Sequence, residues 1–342
     1  MKLEEYLTAN NVPFNKDVSL YKVTKRNNGG ACAFYCKPKA SSALKGLVGF
    51  LNKEDINYHL IGDSSNCYFL EKGEPLVIVT TKGFNDVLYE DEDVLVCSSG
   101  FNLNKLAKLC VARNVAGYEG FLGVPGTVGG AVVNNSGAFE SEMSKVVRAV
   151  TVVDAMGFES KVSARDLGFE LRSSLFKKGG CNATILSVEF DCSKKTDGKA
   201  LAEKVDHVVS FRKKHIDNNK VSLGSICVSS SYKYLRRKYY VKLLIKSIVY
   251  YVCKHFVKEN SKALNTALEM FTLGLARYTR NCDTINRFYW TKETEEKQFI
   301  GYLNDLYRIS DGTLKLEVEI KGGRALVEET VRFTRRSGKS GQ

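Results

Sequence analysis

Residues 120–139, GFLGVPGTVGGAVVNNSGAF, restrict the fold of this chain more than any other segment. Six of these twenty residues are glycine, one is among only four prolines in the chain, and none is charged. Glycine admits positive φ and leaves backbone N–H groups uncovered, so such a run suits the close approach of phosphate oxygens. The alternative is a tight connection packed under a neighbouring helix. The chemistry favours ligand binding, with Thr127, Asn135 and Ser136 as additional polar donors.

The size and composition are those of a globular protein. The 342 residues suffice for two or three domains, and a hydrophobic content of 44% indicates a packed core. The N-terminus lacks the pattern of a secretion signal, and no run of about eighteen apolar residues predicts a spanning helix. Ten scattered cysteines without a Cys-x-x-Cys pair predict free thiols in a reducing cytoplasm. We therefore expect a cytoplasmic protein that holds no metal.

The first 195 residues alternate short β-branched runs with helical periodicity, which predicts a mixed α/β region. Asn102 is the expected N-cap of one helix, and a second helix is expected from Asp197 towards His207. The predicted strands cover residues 58–61, 75–81, 93–100 and 183–192, the first helix covers 102–115, and a β-hairpin within 145–164 turns at Met156 and Gly157.

The sequence changes in character after about residue 230. Residues 232–258 contain eight lysines or arginines and no acid, and their apolar residues recur at helical spacing. This pattern predicts one long basic amphipathic helix. Further helices are expected over 261–278 and 293–310, followed by a strand over 314–320. The net charge of +13 admits anionic small molecules, acidic membranes or nucleic acid as partners, but no nucleic-acid recognition motif occurs.

Four further segments carry residues that bind or react with ligands. The turn IGDSSN (61–66) follows a strand and can present N–H groups to a pyrophosphate. Arg172 in ELRSSLFKK can grip a carboxylate or phosphate, and Ser225 in VSLGSICVSS can deliver a proton. Glu317 and Glu319 in LEVEI share one face of the expected strand. Each also has a commoner structural explanation, namely a simple turn, a surface salt bridge, a turn serine and solvated edge-strand acids.

In chain order, these segments resemble the UDP-N-acetylenolpyruvoylglucosamine reductase (MurB) family. GYEGFLGVPGTVGGAVVNNSGAF resembles its G-x-E-x-x-x-G-I-P-G-T-V-G-G-A-x-x-x-N-x-G-A-[YF] segment, and LIGDSSN resembles its L-G-x-G-S-N turn. LRSSLFK is similar to Y-R-x-S-x-F-K, LGSICVS to A-G-S-x-F-K-N, and KLEVEI to L-x-P-E-V. TKRNNGGACAFYCKP is similar to N-T-x-x-x-G-G-x-A-x-x-x-x-x-P. The match is specific over about residues 15–195 and thin beyond 226.

The resemblance implies an α+β, PCMH-type FAD-binding fold. Two subdomains, 1–75 and 76–195, would bind FAD, and a helix-enriched substrate domain, 196–342, would contain the basic helical segment 232–284. FAD would lie on the two glycine-bearing turns, with its pyrophosphate against their backbone donors. The implied cofactor-binding residues are Gly62, Ser64, Ser65, Asn66, Pro125, Gly126, Thr127, Gly129, Gly130, Asn135, Ser136 and Gly137.

The family's reaction implies roles for three side chains. NADPH reduces the flavin, which then reduces the enolpyruvyl group of UDP-N-acetylglucosamine enolpyruvate to UDP-N-acetylmuramate for peptidoglycan synthesis. Negative charge builds on the substrate carboxylate, so fixed positive and proton-bearing groups lower the barrier. Carried over by motif, Arg172 stabilises that charge, Glu319 assists, and Ser225 donates the proton.

Departures from the family pattern keep two alternatives open. Leu171 replaces the tyrosine before the arginine, Val228 and Ser229 replace a lysine and an asparagine after the serine, and Ser64 replaces the middle glycine of the turn. One alternative is a MurB-like flavoprotein oxidoreductase that acts on a different nucleotide sugar in surface polysaccharide synthesis. The other is a non-catalytic flavin-fold scaffold whose segment 232–258 binds an acidic membrane or partner. Since apolar stripes usually pack within their own domain, we expect packing rather than membrane contact.

Overall fold

The computed structural model describes residues 2–25, 27–70, 76–180, 182–216, 221–253, 261–290 and 296–322. The chain forms two compact units. The first contains Met1–Lys25, Ala31–Ser65 and Pro75–Asp217, and the second contains Arg26–Gly30, Asn66–Glu74 and Asn218–Gln342.

The helices and strands of the described residues are numbered in chain order. The helices are α1 Leu3–Ala9, α2 Leu20–Val23, α3 Ser41–Lys53, α4 Leu103–Ala112, α5 Val128–Val133, α6 Met143–Val146, α7 Gly198–His215, α8 Ser229–Lys238, α9 Tyr240–Cys253, α10 Ser261–Thr272 and α11 Glu296–Ile309. The strands are β1 Phe14–Ser19, β2 Ala31–Cys36, β3 Tyr58–Ile61, β4 Cys67–Phe69, β5 Leu76–Thr80, β6 Val87–Glu90, β7 Val94–Ser98, β8 Gly137–Ala138, β9 Ser141–Glu142, β10 Val147–Val153, β11 Glu159–Ser163, β12 Thr184–Asp191, β13 Val221–Ser222, β14 Cys282–Thr284, β15 Arg287–Trp290 and β16 Glu319–Lys321.

The first unit contains a four-stranded sheet of order β1-β2-β5-β3. β1 runs antiparallel to β2, while β2 and β3 both run parallel to β5. Helix α3 buries Leu44, Leu47, Val48 and Leu51 in the core of this sheet. Their i, i+3, i+4, i+7 spacing places them on one face of the helix, which explains the packing.

The first unit also contains a five-stranded antiparallel sheet of order β11-β10-β12-β7-β6 and the short antiparallel pair β8-β9. β12 alternates buried and half-buried residues towards its end, and the helices α4 and α5 pack into the same core. The Asn102 side chain accepts a hydrogen bond from Lys105 N–H at 3.0 Å, as expected of the N-cap of α4. Asp197 caps α7 in the same way through Ala200 N–H at 2.9 Å.

The second unit has a core centred on α11. This helix buries Phe299, Tyr302, Leu303 and Leu306 at helical spacing. Phe288 of β15 stacks among the aromatic side chains of α11, with ring centroids 5.3 Å from Phe299 and Tyr302. A short sheet of order β13-β15-β14 and a parallel pair of β4 with β16 complete this unit within the described residues.

Most predicted elements of the first 215 residues are confirmed. The strand 58–61, the helix after Asn102, the hairpin turning at Met156 and Gly157, and the helix after Asp197 all occur, although α7 continues to His215. In the predicted strand 75–81, Pro75 lies outside the described residues. β5 pairs with β2 and β3 in one sheet. The predicted subdomain boundary at 75/76 stays a proposal.

Two predictions in the second half are wrong. Residues 232–253 form two helices instead of one, because the chain leaves the helical conformation at Tyr239, where φ is −99° and ψ is 20°; residues 254–258 lie outside the described part. The strand expected over 314–320 reduces to β16, since the N–H groups of Glu317 and Val318 both point to the carbonyl of Ile226.

The two other predicted helices occur but are shorter than expected. The helix predicted over 261–278 ends at Thr272, ahead of Gly274 at φ 73°. The helix predicted over 293–310 begins at Glu296, with 293–295 undescribed.

Candidate functional site

The two glycine-bearing turns predicted to form one site meet in the first unit. A Cβ atom at Gly62, just after β3, would lie 2.2 Å from Thr127 Oγ1, so only glycine permits this approach. Ser65 Oγ donates to the Pro125 carbonyl at 3.3 Å. Gly126 has a φ of 129° and lies next to the same serine. Gly62 and Ser65 of the first turn therefore lie beside Pro125, Gly126 and Thr127 of the second.

The N–H groups available to an anion belong to the two glycine-bearing turns and not to the first turn of α5. Val128 and Gly129 donate their N–H groups to the carbonyls of Phe101 and Ser99, each at 2.9 Å. Gly130 N–H donates to Thr127 Oγ1 at 3.3 Å, which makes Thr127 the N-cap. By contrast, the N–H groups of Ser65, Gly126 and Thr127 have no protein acceptor among the described residues. Three adjacent uncommitted donors on facing turns fit a pyrophosphate.

Gly129 has a packing role. A Cβ atom there would lie 2.8 Å from the Cβ of Ser99 at the end of β7. This glycine lets α5 approach the five-stranded sheet closely, which explains its presence without any ligand contact.

Ser64 occupies a position suited to glycine. Its φ is 54°, its side chain is buried, and its hydroxyl donates to the Asp63 carbonyl at 2.6 Å and accepts from Lys25 N–H at 2.9 Å. The left-handed conformation explains why the resembling motif has glycine here. The hydroxyl is directed into the protein, so any contribution of Ser64 to a cofactor would come from its backbone.

Several residues that hold the first turn were missed by sequence reasoning. The nearly buried carboxylate of Asp63 lies 2.9 Å from Lys82 Nζ and 3.8 Å from Lys25 Nζ. Thr80 Oγ1 donates to the Gly62 carbonyl at 2.9 Å. Thr80 ends β5 and Lys82 follows it, so pairing of β3 with β5 brings these residues to the turn, a long-range contact that the sequence pattern did not indicate.

Asn135 is fully buried and held by the protein. Its amide nitrogen donates to Glu142 Oε1 at 2.5 Å and to the Glu170 carbonyl at 2.9 Å, while its oxygen accepts from Ser144 N–H at 3.0 Å. Ser136 N–H bonds back to the Ala131 carbonyl at 2.8 Å. The Asn135 side chain thus joins three segments of the protein. Its contact with a cofactor stays a prediction, which is disfavoured because these hydrogen bonds already occupy its amide nitrogen and oxygen.

The segment around Arg172 wraps the C-terminal end of α5. Arg172 has a φ of 57°, and its Nη2 donates to the Gly137 carbonyl at 2.5 Å. Ser174 Oγ donates to the Val133 carbonyl and Lys177 Nζ to Asn134 Oδ1, each at 2.7 Å. The structure therefore brings together Arg172 and Gly137, as predicted, and adds Lys177, which the motif contained without an assigned role.

Ser225 and Glu319 lie on neighbouring segments of the second unit. Ser225 is exposed and follows Gly224, which has a φ of 83°. The carbonyl of the next residue, Ile226, accepts Glu317 N–H at 2.9 Å. Asn286, which sequence reasoning missed, fixes the same loop: its side-chain oxygen accepts Cys227 N–H at 2.7 Å and its amide donates to the Cys227 carbonyl at 3.0 Å.

Glu319 begins β16 and has an ionic partner. Its N–H donates to the Asn66 carbonyl at 2.9 Å, and its Oε2 lies 2.8 Å from Lys321 Nζ. Burial lowers the pKa of Lys321, but the attraction of Glu319 outweighs it, so the pKa is raised. The Asn66 amide donates to the Glu317 carbonyl at 2.8 Å, which aligns the predicted residues Asn66 and Glu319.

The departures from the family motif have clear local consequences. Val228 is buried at the N-cap position of α8, and the exposed Ser229 begins this helix. Leu171 is 55% exposed beside Arg172. Where the motif has a lysine and an asparagine after the catalytic serine, this chain starts a helix and presents no charge.

Comparisons with known proteins find an FAD-binding domain and similar reductases. Residues 32–162 match the family described as FAD binding domain. A UDP-N-acetylenolpyruvoylglucosamine reductase of Clostridium novyi (strain NT) is 29% identical over 227 residues, 66% of this chain and 71% of that protein. One of Rickettsia rickettsii (strain Sheila Smith) is 33% identical over 182 residues, 53% of this chain and 60% of that protein. The chain carries an FAD-binding domain and resembles the MurB reductases in sequence.

The solved MurB structure from Thermus caldophilus shows that the fold is shared. It superposes with a TM-score of 0.61 at 19% identity, covering 90% of this chain and 98% of that one. The predicted α+β FAD-binding fold is thereby confirmed. The chain spans about 60% of the length of several curated MurB relatives that it matches. Within the described residues, no helix is long and apolar enough to cross a bilayer, and no three His, Cys, Asp or Glu residues cluster as a metal site.

Proposed function

We propose that this protein is a cytoplasmic FAD-dependent reductase that uses NADPH to convert UDP-N-acetylglucosamine enolpyruvate to UDP-N-acetylmuramate. The observation that carries the proposal is the meeting of the two glycine-bearing turns, with the uncommitted N–H groups of Ser65, Gly126 and Thr127 on facing loops. The match to an FAD-binding domain and the similarity to MurB reductases support FAD as the ligand of this cradle, which consists of residues 62–65 and 125–127.

The residues present fit FAD. The backbone donors of the two turns would hold its pyrophosphate, and the loop that closes over the end of α5 would place Arg172 and Gly137 beside the ring. When bound, FAD supplies two-electron transfer between the nicotinamide and the substrate double bond. The protein itself contributes position, fixed charge and a proton.

Three side chains would act on the substrate. The Arg172 guanidinium would stabilise charge that develops on the carboxylate, aided by its rigid placement against the Gly137 carbonyl. The exposed Ser225 hydroxyl would hold the proton delivered to the carbon next to that carboxylate. Glu319, fixed by Lys321, would orient this proton transfer.

A second candidate is a MurB-like oxidoreductase for a different nucleotide sugar. It is favoured by the buried Val228 and the helix start at Ser229, since these positions carry the lysine and asparagine of the family motif. Without that lysine, a phosphate or carboxylate of the substrate would need another cation.

Stopped-flow measurement of the two half-reactions tests the proposal. In Ser225→Ala, reduction of the flavin by NADPH should keep its rate, while reoxidation by UDP-N-acetylglucosamine enolpyruvate should slow by about 100- to 10,000-fold. Ser230→Ala, an exposed serine in α8, is the matched control and should leave both rates unchanged. Equal reoxidation rates in Ser225→Ala and the parent would contradict the assigned proton donor.

A further inference from the structure

Helix α9 directs its apolar side chains away from the protein. None of its fourteen residues is buried. The exposed apolar side chains, with exposed fractions of 41–67%, are Tyr240, Val241, Leu244, Ile245, Ile248, Val249, Tyr251 and Val252.

The orientation of α9 is the reverse of that expected in a globular protein. Its half-buried positions, Leu243, Lys246, Tyr250 and Cys253, recur at helical spacing. Among them Lys246 faces α10, where its Nζ donates to Asn265 Oδ1 at 2.5 Å. At 100° per residue, the exposed aliphatic side chains occupy the opposite side of the helix. The expectation that the stripe packs within its own domain therefore holds for α8, whose Leu235 is buried in the core of the second unit, and is wrong for α9.

The same region is strongly basic. Residues 221–253 contain six lysines or arginines and no aspartate or glutamate. Lys238 pairs with Asp311 at 2.6 Å, but Lys233, Arg236, Arg237 and Lys242 make no ion pair with any described residue. Lys242 lies over the Tyr239 ring at 5.7 Å, next to the start of the apolar face. Lys242 therefore borders the exposed aliphatic side chains, and the three other cations without an ion pair lie on the preceding helix α8.

An anionic bilayer surface satisfies both features. We propose that α8 and α9 bind anionic lipid bilayers peripherally, with the aliphatic face of α9 at the acyl-chain boundary and the cations at the phosphates. Helices that combine an apolar face, flanking tyrosines and basic residues bind membranes in this way. A second copy of the chain would bring like charges together, and a nucleic acid would leave the aliphatic side chains exposed.

Co-sedimentation of the full FAD-loaded chain with vesicles tests this inference. Vesicles of equal parts phosphatidylcholine and phosphatidylglycerol should bind at least about tenfold more tightly than phosphatidylcholine alone, and added salt should weaken the binding. Leu244→Gln with Ile248→Gln should weaken it about tenfold or more. Arg236→Gln, Arg237→Gln and Lys242→Gln combined should weaken it about 100-fold, at roughly fivefold per cation.

Control variants test whether vesicle binding depends on α8 and α9 in particular or on exposed apolar side chains anywhere in the protein. Met156→Gln with Phe158→Gln removes exposed apolar side chains from the β10–β11 turn and should leave binding unchanged. Every variant should keep the parent's circular dichroism melting curve and FAD content. The inference is overturned if neither vesicle binds, or if Leu244→Gln with Ile248→Gln binds like the parent. It is also overturned if light scattering finds a dimer that this variant dissociates, or if an oligonucleotide binds more tightly than the vesicles.

Discussion

Three residues predicted to belong to the functional site have a left-handed backbone conformation. Ser64, Asn135 and Arg172 have φ values of 54°, 39° and 57°, and each makes a hydrogen bond through its side chain. Such conformations cost of order 1–3 kcal/mol each and persist where neighbouring contacts hold them, commonly at ligand sites. The motif identified these positions, but the partners of their side chains, such as Glu142 for Asn135, depend on tertiary contacts that sequence spacing does not reveal.

Gly62→Ala should damage the cradle. The new Cβ would overlap Thr127 Oγ1, so the turns must separate, and we expect a loss of about 1–3 kcal/mol in the free energy of unfolding and weaker FAD binding. Urea denaturation and flavin absorbance measure the two effects. Gly49→Ala, in the interior of α3, is the control, because apart from its chain neighbours and the backbone of its own helix no atom lies within 4 Å of the new Cβ. Gly49→Ala should raise the free energy of unfolding by about 0.5–1 kcal/mol. Equal stability of the two variants would contradict the close approach.

Asn135→Ala should destabilise the first unit by about 2–3 kcal/mol, because it removes three hydrogen bonds of a fully buried side chain, including the acceptor of Ser144 N–H. A shift of the urea midpoint at unchanged slope would measure this loss. A variant with parental stability but no FAD would show instead that Asn135 serves the ligand.

At the scale of elements, periodicity predicted most of the first unit and less of the second. β3, α4 and the β10–β11 hairpin carry unbroken periodic patterns bounded by turn residues or caps. The break between α8 and α9 has no such marker, since no glycine or proline lies near Tyr239 and apolar spacing continues through it. β16 depends on its parallel partner β4, about 250 residues earlier in the chain, and local pattern carries no information on such pairing.

The N-cap of α5 should affect both stability and the ligand. Thr127→Ala removes the acceptor of Gly130 N–H and should cost about 1 kcal/mol in the free energy of unfolding. It should also weaken FAD binding, because Thr127 lies between the two turns. Asn102→Ala removes the N-cap of α4 at a similar cost and should leave FAD affinity unchanged. Equal FAD affinities in the two variants, measured by fluorescence titration, would argue against Thr127 as part of the cradle.

For the whole molecule, the FAD-binding domain match over residues 32–162 lies mainly within the first unit, and the motif positions occupied by Val228 and Ser229 lie in the second. Residues 26–30 and 66–74 belong to the second unit although they lie within the first in sequence. Segments of this length carry too few residues for composition to assign them to a unit, and the consecutive domains 1–75, 76–195 and 196–342 stay a prediction.

FAD should stabilise the folded chain. A ligand that binds only the native state at about 100 times its Kd adds about 2.7 kcal/mol. Since about 1 kcal/mol shifts the Tm of a domain of this size by roughly 2–4 °C, we expect a rise of about 5–10 °C on adding FAD to the apoprotein. Differential scanning calorimetry measures it, with riboflavin, which lacks the pyrophosphate, as the matched ligand. An equal rise with riboflavin would show that the two turns do not bind the pyrophosphate.

Anaerobic absorbance spectroscopy of the purified FAD-loaded chain tests whether the protein transfers electrons from NADPH to UDP-N-acetylglucosamine enolpyruvate. NADPH should bleach the oxidised flavin spectrum, and one equivalent of UDP-N-acetylglucosamine enolpyruvate should restore it with formation of UDP-N-acetylmuramate. A bleached flavin that this compound leaves reduced, while another nucleotide sugar reoxidises it, would contradict the proposed substrate. A chain that takes up no FAD would contradict the account as a whole.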